Sequence, residues 1–252
     1  MTDAREFYET YYVPTNMVTA IVGDIHPKTL IPLLEKYFGR IPSAPKSPAL
    51  RTVEPASTAE KIIILKDPSQ PFYLEGYHKP SIVHQDQPVF DAIDDILTNG
   101  RTSRFYRSLV RDKKIAVSAG AYGAYPGEKY PHLWVPYAVP ARGVENKMVQ
   151  KAIREELERL KTEDVTDEEL AKFRTRAKAS LIYSLKSNLG LAMSLTDYQT
   201  LFGDWRELFR YIERFDTVTK ADIRRVANHT FKASNRVVAQ IETIAPPTRQ
   251  PE

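Results

Sequence analysis

The sequence predicts an α+β fold in which helices pack on one face of a mainly antiparallel sheet. Strand patterns come early, helical patterns follow one another later, and a last strand pattern, Asn235–Ile241, closes the chain. This order is typical of an α+β domain and not of the alternating units of a parallel sheet. The 252 residues, 42% apolar and 27% charged, suffice for one large domain or two ordinary ones.

The first 45 residues predict a helix, a strand and a second helix. Residues 1–12 have a helical pattern, and Pro14 stops the helix because a proline disfavours helical backbone at the residue before it. Met17–Val22 is an apolar run of strand length. Pro27–Phe38 carries apolar side chains at helical spacing. We expect this helix-strand-helix segment to precede the main domain.

A proline-rich stretch separates this segment from the rest of the chain. Its prolines are Pro42, Pro45, Pro48 and Pro55. Prolines among small and polar residues favour an extended linker over a packed element. We therefore place a linker at 46–58, the full domain at 59–245 and a tail at 246–252.

Four strand patterns open the full domain. Lys61–Lys66 and Phe72–His78 flank a short polar turn and are expected to pair as a hairpin. Ile115–Tyr122 and His132–Val139 alternate or run apolar, with glycine and proline in the turns between them. The closing strand Asn235–Ile241 is expected to return to the same sheet.

Helical patterns fill the remainder of the domain. Thr166 with Glu169 and Thr219 with Asp222 form capping-box patterns, which mark helix starts. The predicted helices are Gln87–Leu97, a helix that begins at Thr102 or Ser103, Val144–Leu160, 166–183, Leu189–Phe202, Asp204–Phe215 and Thr219–Thr230.

The sequence excludes several kinds of catalytic site. It has no cysteine, which removes disulfides, thiolate zinc sites and cysteine nucleophiles. Its five histidines form no HExxH or HxxEH pattern and no pair four residues apart. No serine stands in a GxSxG turn. We assign no catalytic residue and no metal ligand to this chain.

The net charge and the hydropathy of the chain limit the kinds of partner that we expect. The net charge of +4 and the pI near 9.0 indicate only a small excess of basic residues, which does not require a nucleic-acid partner. We therefore expect the chain to bind no nucleic acid. No apolar run approaches the length of a membrane span, and we expect none. The compartment stays open: the composition fits a soluble protein, periplasmic or cytoplasmic if bacterial.

One local basic excess lies between positions 101 and 114. Arg101, Arg104, Arg107 and Arg111 are three or four residues apart, so a helix places them along one stripe. Such a stripe is either a solvated face or a site for a carboxylate, a phosphate or a peptide carbonyl, which suit the guanidinium fork. Composition alone leaves both interpretations open.

Four ordered motifs resemble the pitrilysin/insulinase-type (M16) zinc metallopeptidases, the group that includes mitochondrial processing peptidase. The first is Phe7-Tyr8, Tyr12, Pro14 and Asn16 followed by Val22-Gly23-Asp24; the others are Gly100–Phe105 continued by Leu109–Ala116, Val165–Leu170 and Val218–Ile223. The resemblance covers nearly the whole chain. It implies a LuxS/MPP-like metallohydrolase fold.

The resemblance also implies where the chain lies in its family. Such peptidases contain two similar domains that enclose the substrate, and the first domain carries the HxxEH zinc motif. Residues 1–45 are then expected to be the C-terminal end of a preceding zinc-binding domain, and 59–245 the metal-free second domain. This chain is expected to hold no cofactor, with zinc in the missing catalytic domain. Its expected partners are that domain, in the same chain or a separate subunit, a peptide substrate, and a second copy in a possible homodimer.

The family can contribute an arginine and a tyrosine from the second domain to substrate contact. By motif, Arg111 matches the arginine, while Val117 stands where the family has the tyrosine. Tyr122 and Tyr125 follow on the next segment. We take Arg111, Arg104 and Tyr122 as candidate substrate-binding residues.

Three functions compete at this stage. The leading one is the non-catalytic C-terminal part of a zinc-dependent peptidase, inactive alone, that helps enclose and bind peptide substrate. The second is a naturally inactive family member that serves as a structural or partner subunit of a heteromeric peptidase. A nucleic-acid-binding domain is the third, and it rests only on the pI and the arginine stripe.

Overall fold

The computed structural model describes residues 2–45 and 47–244, so the predicted tail at 246–252 lies outside the described residues. The described residues form two compact units, one drawn from 2–45, 47–55 and 180–210 and the other from 56–179 and 211–244. The sequence pattern places residues 180–210 within the full domain at 59–245, whereas in the structure they cluster with the N-terminal segment. There, for example, a Cβ placed on Gly23 would lie 3.8 Å from the side chain of Asn188.

The first unit contains three complete helices. They are α1 (Thr2–Tyr11), α2 (Pro27–Phe38) and α6 (Asn188–Phe202). His26 caps α2 by accepting a hydrogen bond from the backbone N–H of Lys28 at 3.3 Å. Pro27 at the first helical position suits this start, because the amide that it lacks has no partner there anyway.

The prediction of a strand at Met17–Val22 is wrong. The segment pairs with no strand among the described residues, and a run of extended backbone is a β-strand only when a ladder of hydrogen bonds holds it. Met17 is 55% exposed and Ile21 41%. The apolar pattern indicates that the segment is suited to a sheet, but it does not indicate whether a neighbouring strand is present.

The second unit is built on a five-stranded sheet. Its strands are β1 (Lys61–Asp67), β2 (Phe72–Lys79), β3 (Ala116–Tyr125), β4 (His132–Pro140) and β5 (Arg236–Thr243), in the spatial order β1-β5-β2-β4-β3. Only the β1–β5 pair is parallel, so the predicted mainly antiparallel sheet is confirmed. The predicted β1–β2 hairpin is wrong, because the returning strand β5 lies between the two.

Helices of the second unit pack on one side of this sheet. The helices are α3 (Gln87–Thr98), α4 (Asn146–Thr162), α5 (Asp167–Ser184), α7 (Glu207–Thr217) and α8 (Lys220–Thr230), of which α5 and α7 run on into the first unit. Both predicted capping boxes are present: the amide of Glu169 donates to Thr166 Oγ1 and that of Asp222 to Thr219 Oγ1, each at 3.1 Å. Together with the sheet, these helices confirm the α+β class.

An aromatic cluster fills the space between the sheet and the helices. Tyr77 and Trp134 lie opposite each other on β2 and β4, and Phe231 follows α8. The Phe231 ring is 5.1 Å from Tyr77 and 5.2 Å from Trp134 between centroids, and no ring is more than 2% exposed. Burial of each such side chain contributes about 1.5–3 kcal/mol. This cluster fixes the position of β4 and, through it, of the edge strand β3.

Candidate functional site

The candidate site is the segment that leads from α3 into β3. Residues Tyr106–Asp112 form a π-helix where the sequence predicts an α-helix, and its amide hydrogen bonds reach five residues back, as from Lys113 to Ser108 at 3.0 Å. Lys114 then has a φ of +52°, a left-handed conformation that is uncommon outside glycine. π-helical turns and strained residues both occur preferentially at functional positions.

Arg111 lies on the exposed side of this π-helix. Its side chain is 58% exposed, and it donates two hydrogen bonds to Asp112, at 2.6 and 3.1 Å. These hydrogen bonds hold the pKa of the Asp112 carboxyl below its ordinary value. Because water screens an ion pair at this exposure, the pair with Asp112 is weak and the guanidinium of Arg111 is accessible to other hydrogen-bond acceptors.

Arg104 points in the opposite direction. It is 4% exposed and donates from Nε and Nη2 to the two carboxylate oxygens of Glu169, both at 2.8 Å. Burial acts to raise the pKa of Glu169, but hydrogen bonds from Arg104 and Thr166 outweigh it and lower that pKa to about 2. Arg104 therefore ties the start of the π-helix segment to α5 and leaves no exposed surface for a substrate.

Tyr122 lies on β3, where half of its side chain is exposed. Its ring stacks on that of Tyr137 at 5.1 Å, and Phe72 stacks on the other side of Tyr137 at 5.8 Å. A row of three rings thus crosses β3, β4 and β2. Gly120 makes room for it, because a Cβ there would lie 3.1 Å from the Tyr137 hydroxyl oxygen. The sequence singled out Tyr122 but not its two partners, which share a face only in the observed register.

β3 is an edge strand. It pairs with β4 on one side and with no other strand of the described chain on the other. Irregular register between Ala116 and Ser118 and between Tyr122 and Tyr125 interrupts the ladder at both ends. Such an edge presents unpaired backbone N–H and C=O groups to an incoming extended chain. Val117, which takes the place of the family tyrosine, is 64% exposed on this strand.

The described histidines and acids are not arranged as a zinc site. Within residues 2–45 and 47–244, no group of three or more histidine, aspartate or glutamate side chains is placed to hold a metal ion. His26 caps α2, His84 accepts from the amide of Asp86 at 3.1 Å, and His132 is buried with Nδ1 2.9 Å from the carbonyl oxygen of Tyr130. Each of the three has a structural role.

None of the helices in the described ranges combines the length and the apolarity needed to cross a membrane.

Two comparisons with known structures show the fold. A protease from Helicobacter pylori superposes with a TM-score of 0.88 at 25% identity, over 96% of this chain and 59% of that one. The inactive peptidase domain of a Bordetella parapertussis protein superposes with a TM-score of 0.64 at 22% identity, over 75% of this chain and 99% of that one.

Sequence comparison agrees with the structural match. The zinc protease PqqE of Helicobacter pylori is 29% identical over 234 residues, which are 91% of this chain and 52% of that protein. The chain thus spans about half the length of this curated relative. The family model described as the peptidase M16 inactive domain matches residues 1–177. The chain belongs to the peptidase M16 inactive-domain family.

Proposed function

We propose that this chain is the non-catalytic half of a zinc-dependent peptidase and that it binds an extended peptide along β3. The zinc and the hydrolytic chemistry belong to a preceding zinc-binding domain, in the same chain or in a separate subunit. The names and lengths of the relatives support this division, since PqqE is called a zinc protease and this chain covers 52% of it.

The observation that carries peptide binding is the open edge of β3 between Arg111 and Tyr122. Strand addition gives affinity through main-chain hydrogen bonds, which do not depend on the peptide sequence. Arg111 lies five residues before the first residue of β3 and has an exposed guanidinium for a carbonyl oxygen. Tyr122 offers half of its ring to a peptide side chain on the same face.

Peptide binding by this chain is tested with labelled extended peptides and fluorescence anisotropy. A peptide and its two analogues with N-methyl groups at alternate backbone nitrogens, one in each phase, have the same side chains, but in only one phase are the methylated nitrogens those that donate to β3. We expect the unmethylated peptide and one analogue to bind, and the other analogue to lose most of its affinity. Equal binding of all three peptides contradicts strand addition.

A second measurement tests the division of labour. The purified chain is assayed for bound zinc and for cleavage of unstructured peptides. We expect neither stoichiometric zinc nor turnover from the chain alone. Stoichiometric zinc with turnover contradicts the proposal, whereas zinc-free protein that also binds no peptide favours a purely structural subunit.

A further inference from the structure

A basic cleft lies beside the π-helix, between the loop after α3 and the first turns of α5. Its cations are Arg101, Arg107, Arg111, Lys172 and Arg176, and its volume is about 310 Å³. Thr102 and Thr166 add hydroxyl groups to the wall. The cleft lies entirely within the second unit.

The carboxylates in the wall are already neutralised by neighbouring cations. Asp95 pairs with Arg176 at 3.2 Å and Glu168 with Lys172 at 2.6 Å. Glu169 receives the bidentate pair from the buried Arg104 described above. None of these three acids is left to balance a further positive charge.

Two arginines remain without a carboxylate partner. Among the described residues, neither Arg101 nor Arg107 has a carboxylate within ion-pair distance, and both are exposed. Arg101 donates only to the Tyr106 hydroxyl, at 3.2 Å. Arg107 itself lines the cleft. The cleft therefore holds two positive charges in excess.

The π-helix aims two of these cations in the same direction. A π-helix has a wider turn than an α-helix, because its hydrogen bonds join residues five apart. Arg107 and Arg111, four apart, therefore stay on one face and both line the cleft. The stripe expected from the sequence also included Arg104, but that residue turns inward to Glu169.

We propose that this cleft binds a carboxylate group of the peptide that lies along β3, so that a peptide with such a carboxylate binds more tightly than a neutral one. The inference rests on the proposed peptide-binding function. Arg111 links the cleft to the peptide edge along the chain, because it belongs to the lining of the cleft and precedes the first residue of β3 by five residues. Guanidinium groups bind carboxylates with paired, charge-assisted hydrogen bonds.

The size and the charges of the cleft favour a single carboxylate over a polyanion. A volume of about 310 Å³ is at the lower end of small-ligand sites and admits one or two side chains. Two excess positive charges can balance one or two carboxylates, but not the many charges of a run of phosphates. A carboxylate can come from an acidic side chain or from the C-terminus of the peptide, and the two have the same chemistry.

Three versions of one labelled peptide distinguish these sources on the full chain. The first has a Glu near each end and an amidated C-terminus, the second has Gln at both positions and the same amide, and the third has the Gln residues and a free C-terminal carboxylate. A neutral dye avoids an added charge. The matched protein variants are Arg107→Gln in the cleft and Arg142→Gln, an exposed arginine outside it.

We expect one of the carboxylate-bearing peptides to bind about tenfold more tightly than the neutral one. Arg107→Gln is expected to remove that advantage, and Arg142→Gln to preserve it. Higher salt should reduce the advantage in the parent chain, because the charges are close to water. Which peptide gains affinity identifies the side chain or the C-terminus as the source.

The outcomes separate this inference from the proposed function. Equal affinity of all three peptides, or a Glu preference that survives Arg107→Gln, overturns the carboxylate site while peptide binding stands. If no peptide binds, both proposals fall. A single-stranded oligonucleotide that binds more tightly than the peptides, and that Arg107→Gln weakens, would also overturn the proposal that the cleft binds a peptide carboxylate. Because Arg107 is exposed, an unchanged melting temperature will show that the variant is folded.

Discussion

Glu75 is completely buried in the middle of β2, and Nε of Arg154 on α4 donates a hydrogen bond to it at 2.6 Å. The hydroxyls of Tyr73 and Tyr77 donate to the same carboxylate, each at 2.6 Å. Nη2 of Arg154 reaches on to Glu60 at 2.8 Å. Arg154 thus compensates the buried charge of Glu75 and joins α4 to the sheet.

Replacement of Arg154 by Ala should destabilise the second unit by about 3–5 kcal/mol, because it leaves the charge of Glu75 buried with only neutral donors. Urea denaturation measures this loss. The double variant Arg154→Ala/Glu75→Gln should recover part of it, since the uncompensated charge is gone. Lys151→Ala, on the exposed face of the same helix, is the control and should change stability little. A loss as small as that of Lys151→Ala contradicts this role.

The Arg104–Glu169 pair predicts a stability loss in acid. The pKa of Glu169 is lowered to about 2 from an ordinary value of 4.5. Because the folded-state pKa lies below the unfolded one, the stabilisation is complete above pH 4.5 and is lost as the pH falls towards 2. Solvent screening at this partly exposed site reduces the expected contribution to about 1–2 kcal/mol.

Glu169→Gln measures this contribution. Chemical denaturation across the acid range should show a flatter decline of stability for the variant than for the parent chain. The same variant should be less stable near neutral pH, where the pair is fully formed. If both proteins lose stability in parallel through this range, the ion pair is not the source of the acid sensitivity.

Much of the fold could be predicted from local patterns. The strand patterns of β2 and β4 and the capping boxes at Thr166 and Thr219 depend on neighbours in sequence, and each is found where expected. The position of β5 between β1 and β2 could not be predicted in this way, because strand order depends on contacts between residues far apart along the chain. The same limit applies to Met17–Val22, whose pattern does not reveal whether a partner strand is present.

The candidate site, too, could be predicted only in part from local patterns in the sequence. Spacing alone put Arg104 and Arg107 on one stripe, but the π-helical winding and the acid at position 169 send one inward and the other outward. No local signal distinguishes the two arginines. The ring row of Tyr122, Tyr137 and Phe72 likewise depends on cross-strand register.

The titration of Asp91 should make the stability of the fold depend on pH in the opposite direction from that of Glu169. Burial is the main cause that raises its pKa to about 6, against hydrogen bonds from Tyr211 and Gln87 and the nearby charge of Lys79, which lower it. Because the folded-state pKa exceeds the unfolded one, the folded protein takes up a proton first. Stability should therefore rise by about 2 kcal/mol as the pH falls from 6 to about 4.

Asp91→Asn removes this titration while keeping the size of the side chain. Comparison of the free energy of unfolding at several pH values between 4 and 6 should show a slope in the parent chain that the variant lacks. Asp95→Asn, four residues further along α3, provides the control. An identical slope in parent and Asp91→Asn shows that another group is responsible.

Tyr122 provides the most direct test of the peptide edge. Its ring is 51% exposed, so Tyr122→Ala should lower the stability by no more than about 1 kcal/mol, the value of one partly exposed ring pair. If a peptide lies along β3, its side chains pack on the free half of this ring, and the variant should bind peptides about five- to tenfold more weakly. Tyr12→Ala removes an equally large ring, 65% exposed, from the first unit and should leave affinity unchanged.

Anisotropy titrations with the unmethylated peptide measure both variants. If Tyr122→Ala binds as tightly as the parent while Arg111→Gln weakens binding, the peptide contacts only the start of the edge; if neither variant changes the affinity, the peptide does not lie on β3.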